Sequence, residues 1–304
     1  MREIRFSGLG MATAALIALQ AASPSLAAPR RAPSAKAAAP AALAAPAVVE
    51  PSASDWRTVS PDDLLVIDTN RGRILVELVA AAAPGHVERI RTLAKQHFYD
   101  GQTFFRVIDG FMDQTGDPTN TGEGGSSLPD LKAEFDFRRG PETPVVVVAK
   151  PAGLETGFLG VLPVVSQPSA LMALRADGKV TAWGAFCPGV AGMARASEPD
   201  SANSQFFLMR EAYPSLEHKY TAFGRVLAGQ EVVRAIKVGE PVPPPQDRML
   251  TVRLASDLPP EQRPKVQVLD TASAAFRSLV ERTRAERGAD FSVCDVALPV
   301  KQGG

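Results

Sequence analysis

Short apolar runs separated by turn-forming residues recur along the chain from residue 64 onward. Residues 64–68 and 74–78 are two such runs, and the Thr-Asn-Arg-Gly between them is typical of a β-hairpin. Runs of this length favour strands over helices, which need longer periodic segments. Many strands combined with abundant turn residues predict an antiparallel barrel or sandwich.

Apolar residues at helical spacing predict only a few helices. Pro84 begins a segment in which Val87, Ile90 and Leu93 recur on one face. Residues 230–237 predict a short second helix. Two further elements are expected near the C-terminus, a strand over 266–269 and then a helix that ends at Gly288.

A second hairpin is predicted within the middle of the chain. Residues 171–175 and 180–186 flank Ala-Asp-Gly-Lys, in which Asp-Gly is a strong hairpin signal. Residues 145–148 form a continuous apolar run, so the stretch 141–189 is expected to be rich in β-structure but irregular.

The first 28 residues have the order of features found in a secretory signal peptide. Arg2 and Arg5 precede an apolar stretch over 9–22, and Ser25 and Ala27 follow as small residues near a cleavage site. An N-terminal membrane anchor is the alternative, but the stretch is short for a span of about 20 apolar residues. We expect cleavage of residues 1–28 and export to the periplasm or the medium.

The rest of the chain divides into three parts by composition. Residues 29–55 are rich in Ala and Pro, so they predict a semi-extended linker. Residues 56–255 contain most of the apolar runs and predict the main domain, and residues 256–304 predict an extension.

Charge and cysteine content exclude several classes of function. The 304 residues contain 33 Lys and Arg against 33 Asp and Glu, so nucleic-acid binding driven by surplus positive charge is not expected. The 3 His and 2 Cys have no metal-ligand spacing. In an oxidising compartment Cys187 and Cys294 can pair, and two buried free thiols are the alternative.

The densest chemical signal is the segment 104–117, Phe-Phe-Arg-Val-Ile-Asp-Gly-Phe-Met-Asp-Gln-Thr-Gly-Asp. Arg106 lies in an apolar strand, where a charge is costly unless it reaches a pocket or a partner. Phe111, Met112 and Gln114 follow closely and can form an apolar cup beside the guanidinium.

A purely structural interpretation is that Arg106 pairs with Asp109 or Glu134 and that the apolar residues are ordinary core. Nucleophile motifs of hydrolases and phosphate-binding loops are absent from the sequence. The Gly-rich patch 122–125 predicts a surface turn.

Three segments in order resemble the cyclophilins, the cyclosporin-binding class of peptidyl-prolyl cis–trans isomerases. They are the string above, then Gly-Met-Ala-Arg-Ala at 192–196 with Asn-Ser-Gln-Phe-Phe at 203–207, and finally the stretch 216–226. The resemblance covers about 64–240. It implies that 56–255 is a cyclophilin-like isomerase domain, a mainly β fold with a closed antiparallel barrel capped by two α-helices.

Carried over by position, the resemblance makes Arg106 the catalytic residue. It implies an apolar proline pocket, two glutamine contacts, main-chain alignment of the peptide by two residues, and one aromatic at the rim. The pocket residues are Phe111, Met112, Phe207 and Leu216, and the glutamines are Gln114 and Gln205. The main-chain contacts are at Ala194 and Arg195, and the aromatic is Tyr220. The residue types at 195 and 220 resemble those of exported bacterial members.

The sequence departs from the family pattern in several places. Phe105 replaces the His that usually precedes the arginine, Thr115 replaces a Gly, and Ser215 replaces a Trp or other aromatic. Residues 141–189 are longer than the usual link and form an insertion, and the extension lies outside the family core.

The resemblance therefore implies an exported isomerase that acts on X–Pro bonds of unfolded or flexible envelope proteins. Such a reaction needs no covalent intermediate, metal or cofactor, and no nucleic acid or stable membrane insertion after signal cleavage is expected. The alternative is a proline-peptide-binding or chaperone-like module with weak or no turnover, because Phe105, Ser215 and the two extra segments can narrow the groove. A secreted hydrolase lacks a nucleophile–base pair in this sequence.

Overall fold

The structure is a computed structural model, and it describes residues 49–303. The predicted signal peptide and all but the last residues of the predicted linker lie outside the described residues. No helix within 49–303 has the length and apolar character needed to cross a bilayer.

Strands account for most of the regular structure in this part of the chain. In chain order they are β1 (Trp56–Thr58), β2 (Leu64–Thr69), β3 (Gly72–Leu78), β4 (Arg106–Ile108), β5 (Met112–Thr115), β6 (Asp136–Arg139), β7 (Val145–Ala149), β8 (Glu155–Leu159), β9 (Leu162–Ser166), β10 (Val180–Gly184), β11 (Val190–Met193), β12 (Phe206–Met209), β13 (Thr221–Ala228), β14 (Met249–Leu254), β15 (Lys265–Leu269) and β16 (Val300–Gly303). The α-helices are α1 (Pro84–Lys95), α2 (Gln230–Ala235) and α3 (Ala274–Arg287).

The largest sheet has eight antiparallel strands in the order β14-β2-β3-β13-β11-β12-β5-β4. The predicted first hairpin is confirmed, since β2 and β3 pair from Leu64 opposite Glu77 to Thr69 opposite Gly72. The helix predicted from Pro84 is confirmed as α1. The mainly β class is therefore as expected.

The sheet is curled, but it is not a fully closed barrel. β14 and β4 are the two ends of the strand order, and within 49–303 no continuous ladder joins them. Single contacts bridge the gap: the Phe104 N–H donates to the Asp247 carbonyl at 2.9 Å, and Val107 and Gly239 exchange two hydrogen bonds. Full closure is thus not confirmed, because the segments that meet there are too short to form a ladder.

The predicted second hairpin is wrong. Ser169–Leu174 is a 3-10 helix, and Leu174 is 79% exposed rather than paired in a sheet. β10, the predicted second strand of this hairpin, pairs with β6 on one side and β9 on the other. Both edges of β10 are already occupied, so the Asp-Gly turn joins it to a helix instead.

The insertion forms most of a second sheet, with the strand order β6-β10-β9-β8-β7. The extension contributes β15, β16 and α3. In a third sheet, β15 is the central strand and pairs with β1 on one side and β16 on the other. A disulfide joins Cys187, near the end of the insertion, to Cys294 in the extension, with the Cα atoms 5.0 Å apart. Of the two alternatives for these cysteines, the structure has the disulfide.

Side chains of β2 alternate between two hydrophobic cores. Leu65 and Ile67 belong to a core that includes residues of α1 and α2. Leu64 and Val66 belong to a core that includes residues of the insertion and of α3. Because successive strand residues point to opposite faces, β2 is buried on both sides, which explains its continuous apolar run.

Candidate active site

Arg106 stands in a row of residues that crosses four strands of the large sheet. It is opposite Gln114 in the pairing of β4 with β5. Gln114 is opposite Phe207 on β12, and Phe207 is opposite Gly192 on β11. Directly opposed residues of antiparallel strands share a face. Strand register therefore places Arg106 in one row with Phe207 and Gly192, although Arg106 and Gly192 are 86 residues apart in sequence.

Gly192 is needed in this row because it leaves space for an aromatic ring. A Cβ atom at this position would lie 2.4 Å from the Phe207 ring and 2.8 Å from the Phe186 ring. The two rings stack with their centroids 6.0 Å apart. A side chain at 192 would displace the Phe207 ring from the pocket.

A continuous chain of polar contacts fixes the Arg106 guanidinium. Its Nη1 donates to Gln114 Oε1 at 3.2 Å, and Gln114 Nε2 donates to Gln205 Oε1 at 2.9 Å. Gln205 Nε2 in turn donates to the carbonyls of Gly122 and Gly124, both at 2.8 Å. Both glutamines are thus oriented by contacts on either side, and the chain ends on main-chain atoms of the Gly-rich patch.

The Gly-rich patch is shaped by the carboxylate of Asp117, a fully buried residue. Asp117 accepts hydrogen bonds from the N–H groups of Thr119 (2.7 Å), Thr121 (3.0 Å), Gly122 (2.7 Å) and Gly124 (3.2 Å). Burial alone would raise the pKa of Asp117, but these hydrogen bonds outweigh it and hold the pKa below its ordinary value. The patch is a loop wrapped around a carboxylate.

Beside the polar chain lies an apolar floor. Met112, Phe207 and Leu216 are buried, whereas Phe111 is partly exposed. Tyr220 meets Phe207 edge to face, with ring centroids 5.8 Å apart. Ring edges and methyl groups of this kind suit a compact apolar ring, and binding of such a ring would displace water from the floor.

Arg195 and Ala194 form the opposite rim. Arg195 donates to the carbonyls of Lys219 (2.8 Å) and Ala196 (2.8 Å), and its guanidinium lies over Tyr220, 4.8 Å from the ring centroid. The Ala194 N–H donates to the Gln205 carbonyl at 2.9 Å. The Arg195 side chain therefore holds the rim together, and the Ala194 N–H is already used within the protein.

These residues enclose an open groove with a volume of about 590 Å³. Of the ten predicted site residues, all but Gln205 line it, and Gln205 lines an adjoining pocket of about 520 Å³ that shares Gln114, Ala194 and Arg195. No residue of the insertion or of the described part of the extension lines the groove.

Sequence analysis missed several groove residues on two loops. They are Asn120 and Thr121 on the loop around Asp117, and Glu240 and Pro241 after α2. Arg106 Nε donates to Glu240 Oε1 at 2.6 Å. Asp109 instead contacts Arg210, and Glu134 contacts His86, so neither is the partner of Arg106. The carboxyl that does pair with it is 134 residues away in sequence.

The three family departures are accommodated locally. Phe105 is buried, lines the groove and lies against the loop at Gly122, where a Cβ atom would be 3.5 Å from the ring. Thr115 is buried, and its hydroxyl donates to the Thr103 carbonyl at 2.9 Å. Ser215 is exposed and does not line the groove, whose wall here is Leu216.

Comparisons with known proteins identify the family of this chain. Residues 64–254 match the family model for cyclophilin type peptidyl-prolyl cis-trans isomerases. A probable peptidyl-prolyl cis-trans isomerase of Brucella suis is 33% identical over 212 residues, which are 65% of this chain and 85% of that protein. Peptidyl-prolyl cis-trans isomerase-like 1 of Aspergillus oryzae is 31% identical over 197 residues, covering 64% and 96% of the two chains.

The crystal structure of the cyclophilin AquaCyp293 from Hirschia baltica superposes with a TM-score of 0.76 at 33% identity. The match covers 84% of this chain and 98% of that one, so it extends beyond the span of the family model. The chain belongs to the cyclophilin-type peptidyl-prolyl cis–trans isomerase family and is an isomerase of that class.

Proposed function

We propose that the groove binds a prolyl segment of a flexible polypeptide and that Arg106 accelerates rotation about its X–Pro bond. The observation that carries this proposal is the fixed guanidinium beside an apolar floor. Gln114 holds the guanidinium from the side, and Met112 and Phe207 form the floor next to it. The proline ring would lie on this floor.

The barrier to rotation explains the need for the cation. Partial double-bond character of the amide gives a barrier of about 18–20 kcal/mol. A guanidinium N–H directed at the prolyl nitrogen would draw its lone pair out of conjugation. It would therefore stabilise the twisted amide more than either planar form, which is the requirement for catalysis.

The peptide would be aligned by the rim at 194–195. Because the Ala194 N–H is bonded to Gln205, we assign this role to the Ala194 carbonyl and to main-chain atoms of Arg195. The Arg195 side chain supports the rim through Lys219 and Tyr220 and is not assigned a direct contact. Within residues 49–303, neither the insertion nor the extension lines the groove, which removes one reason for the binding-module alternative, namely that these segments narrow it.

Substitution of Arg106 tests the mechanism. We expect Arg106→Ala to lower kcat/KM about a hundred- to a thousandfold, as removal of a donor directed at a transition state typically does. Thermal unfolding should remain cooperative, because the side chain is at the groove surface. Arg106→Lys keeps the charge without the planar fork and should recover only part of the loss. Turnover near the unmodified level in Arg106→Ala would contradict the role.

We also propose that the protein is exported and acts on envelope or secreted polypeptides. The disulfide between Cys187 and Cys294 supports this, because disulfides persist mainly in oxidising compartments. The mass of protein isolated from the cell envelope tests it. Loss of the first 27 or 28 residues is expected, and an intact chain starting at Met1 in the membrane fraction would contradict it.

A further inference from the structure

Glu240 lies in the groove although no motif of the family resemblance contains it. Its Oε1 accepts a hydrogen bond from Arg106 Nε at 2.6 Å. Charged groups among the groove-lining residues are two arginines, Arg106 and Arg195, and this single carboxylate. Glu240 therefore sets the charge of the groove next to Arg106.

The loop that carries Glu240 is anchored to the strand that carries Arg106. On one side of Glu240, Gly239 and Val107 exchange hydrogen bonds of 2.8 and 2.9 Å. On the other side, the Val242 N–H donates to the Phe105 carbonyl at 2.9 Å. Main-chain bonds thus flank both Arg106 and Glu240 in sequence, so the two side chains face each other over a short fixed distance.

A second set of contacts fixes the proline-rich part of this loop. Lys237 Nζ donates to the carbonyls of Pro243 (2.7 Å), Pro244 (3.4 Å) and Pro245 (3.2 Å). An ordinary surface ion pair contributes little because two long side chains must be ordered to form it. Here the backbone on both sides is already held, which lowers that entropic cost.

The hydrogen bonds of Arg106 leave one edge of its guanidinium for the groove. Nε is bonded to Glu240 and Nη1 to Gln114. Within residues 49–303, Nη2 has no protein partner. Two acceptors therefore fix the plane of the guanidinium, Gln114 on β5 and Glu240 on the loop after α2, while Nη2 stays available.

We propose that Glu240 is a positioning residue for Arg106 and a determinant of substrate charge. It holds the guanidinium in its working orientation, and its negative charge offsets the two arginines, so that a basic residue beside the proline is accepted better, and an acidic one less well, than in a groove without this carboxylate. This inference rests on the catalytic role proposed for Arg106. Like charges brought together across a binding surface disfavour association, and opposite charges favour it.

The test compares Glu240→Ala with Glu240→Gln. Alanine removes both the acceptor and the charge, whereas glutamine keeps an acceptor oxygen for Arg106 Nε and removes only the charge. Glu142→Gln is the matched control: Glu142 also pairs with a cation, Lys179, and is 57% exposed compared with 55% for Glu240, but it lies in the insertion outside the groove.

Turnover is measured by NMR exchange spectroscopy on two peptides that differ only in Lys or Glu before the proline. Removal of the charge in either variant should shift the ratio of the two kcat/KM values toward the Glu peptide by about two- to fivefold, the range of an exposed ion pair. On a neutral peptide, Glu240→Ala should lower kcat more than it raises KM, and Glu240→Gln should recover part of that loss. High salt should reduce the difference in this ratio between the unmodified protein and Glu240→Gln.

An unchanged ratio in both variants, or a rise of kcat in Glu240→Ala, would overturn the inference; a rise would mean that Glu240 competes with substrate for Arg106. Arg106→Ala separates this failure from failure of the proposed mechanism. If Arg106→Ala is inactive while Glu240→Ala behaves like the unmodified protein, only the role of Glu240 fails. If Arg106→Ala keeps full turnover, the mechanism itself fails.

Discussion

Asp117→Asn should destabilise the protein and impair turnover, because one carboxylate organises the loop beside the groove. Oδ2 of Asp117 accepts from the N–H groups of Thr121 at 3.0 Å and Gly122 at 2.7 Å, and Oδ1 accepts from Thr119 at 2.7 Å. Asparagine retains one acceptor oxygen but places an NH₂ group in the other position. Whichever way the amide is turned, donors then face donors.

The structure gives the size of the effect. At least one hydrogen bond to a charged acceptor is lost, and such bonds contribute about 1.5–3 kcal/mol each. The partly buried N–H that remains adds a desolvation cost of about 1 kcal/mol, the low end of the range for a fully buried group. The resulting loss of about 2.5–4 kcal/mol is a large part of the 5–15 kcal/mol typical of a folded domain. The Gly122 and Gly124 carbonyls that orient Gln205 would also move, so kcat/KM should fall.

The effect should depend on pH in a defined direction. Because the pKa of Asp117 is lower in the folded protein than its ordinary value, the ionised carboxylate contributes stability above about pH 4. That contribution is lost as the pH falls through the lowered pKa. The difference in stability between the unmodified protein and Asp117→Asn should therefore be full near neutral pH and shrink in acid.

Urea denaturation at several pH values measures this difference, and isomerase assays measure the loss of turnover. Asp62→Asn is the control, since Asp62 is exposed and its carboxylate has no hydrogen bond or ion pair within residues 49–303. A change in unfolding free energy below about 0.5 kcal/mol for Asp117→Asn, equal to that of Asp62→Asn, would refute the reasoning.

Two further predictions concern position 215 and the disulfide to the extension. Cyclosporin should inhibit weakly, because position 215, where the family resemblance expects an aromatic, holds a small exposed serine that does not line the groove. A tryptophan at 215 is expected to extend over the neighbouring Leu216 wall. An aromatic anchor is commonly worth about 2–4 kcal/mol, so a titration of Ser215→Trp should show a gain in affinity of about thirty- to a thousandfold. Equal inhibition of both proteins would show that position 215 is not part of the drug site. Cys294→Ser opens the link to Cys187 across 107 residues and should lower stability by about 2–4 kcal/mol. Turnover at moderate temperature should be unchanged, because neither cysteine lines the groove, and a loss of turnover in the folded variant would contradict this.

Local sequence was sufficient for the part of the site that a single hairpin carries. Arg106 and Gln114 are only eight residues apart, and the tight connection between β4 and β5 places them opposite each other. The placement of Phe207 came from the family resemblance instead, because no local pattern indicates which distant strand pairs with β5. Gly192 shows the physical reason for one position of the 192–196 motif, since only a residue without a side chain leaves space for that ring.

Glu240 could not be found in this way. It is an acidic residue in an exposed proline-rich loop, a setting that ordinarily indicates only solvent exposure, and its partner is 134 residues away. Its position follows from the hydrogen bonds of Gly239 with Val107, which are long-range contacts without a sequence signal. The error in the hairpin predicted over 171–186 has a related cause. Both edges of β10 pair with strands that are distant from the Asp-Gly turn in sequence, β6 and β9.

The insertion and the extension have a structural explanation that the family core alone does not provide. Leu64, Val66 and Leu75 lie on the large sheet, but they belong to the same buried cluster as Phe158 of the insertion and Phe276 of the extension. The two Phe rings meet edge to face at 5.5 Å. Without these segments, one face of β2 and β3 would expose large apolar side chains, which soluble proteins rarely leave as a contiguous patch. The extra segments thus cover the outer face of the sheet and leave the groove open, and this is consistent with a match to AquaCyp293 that extends beyond residues 64–254.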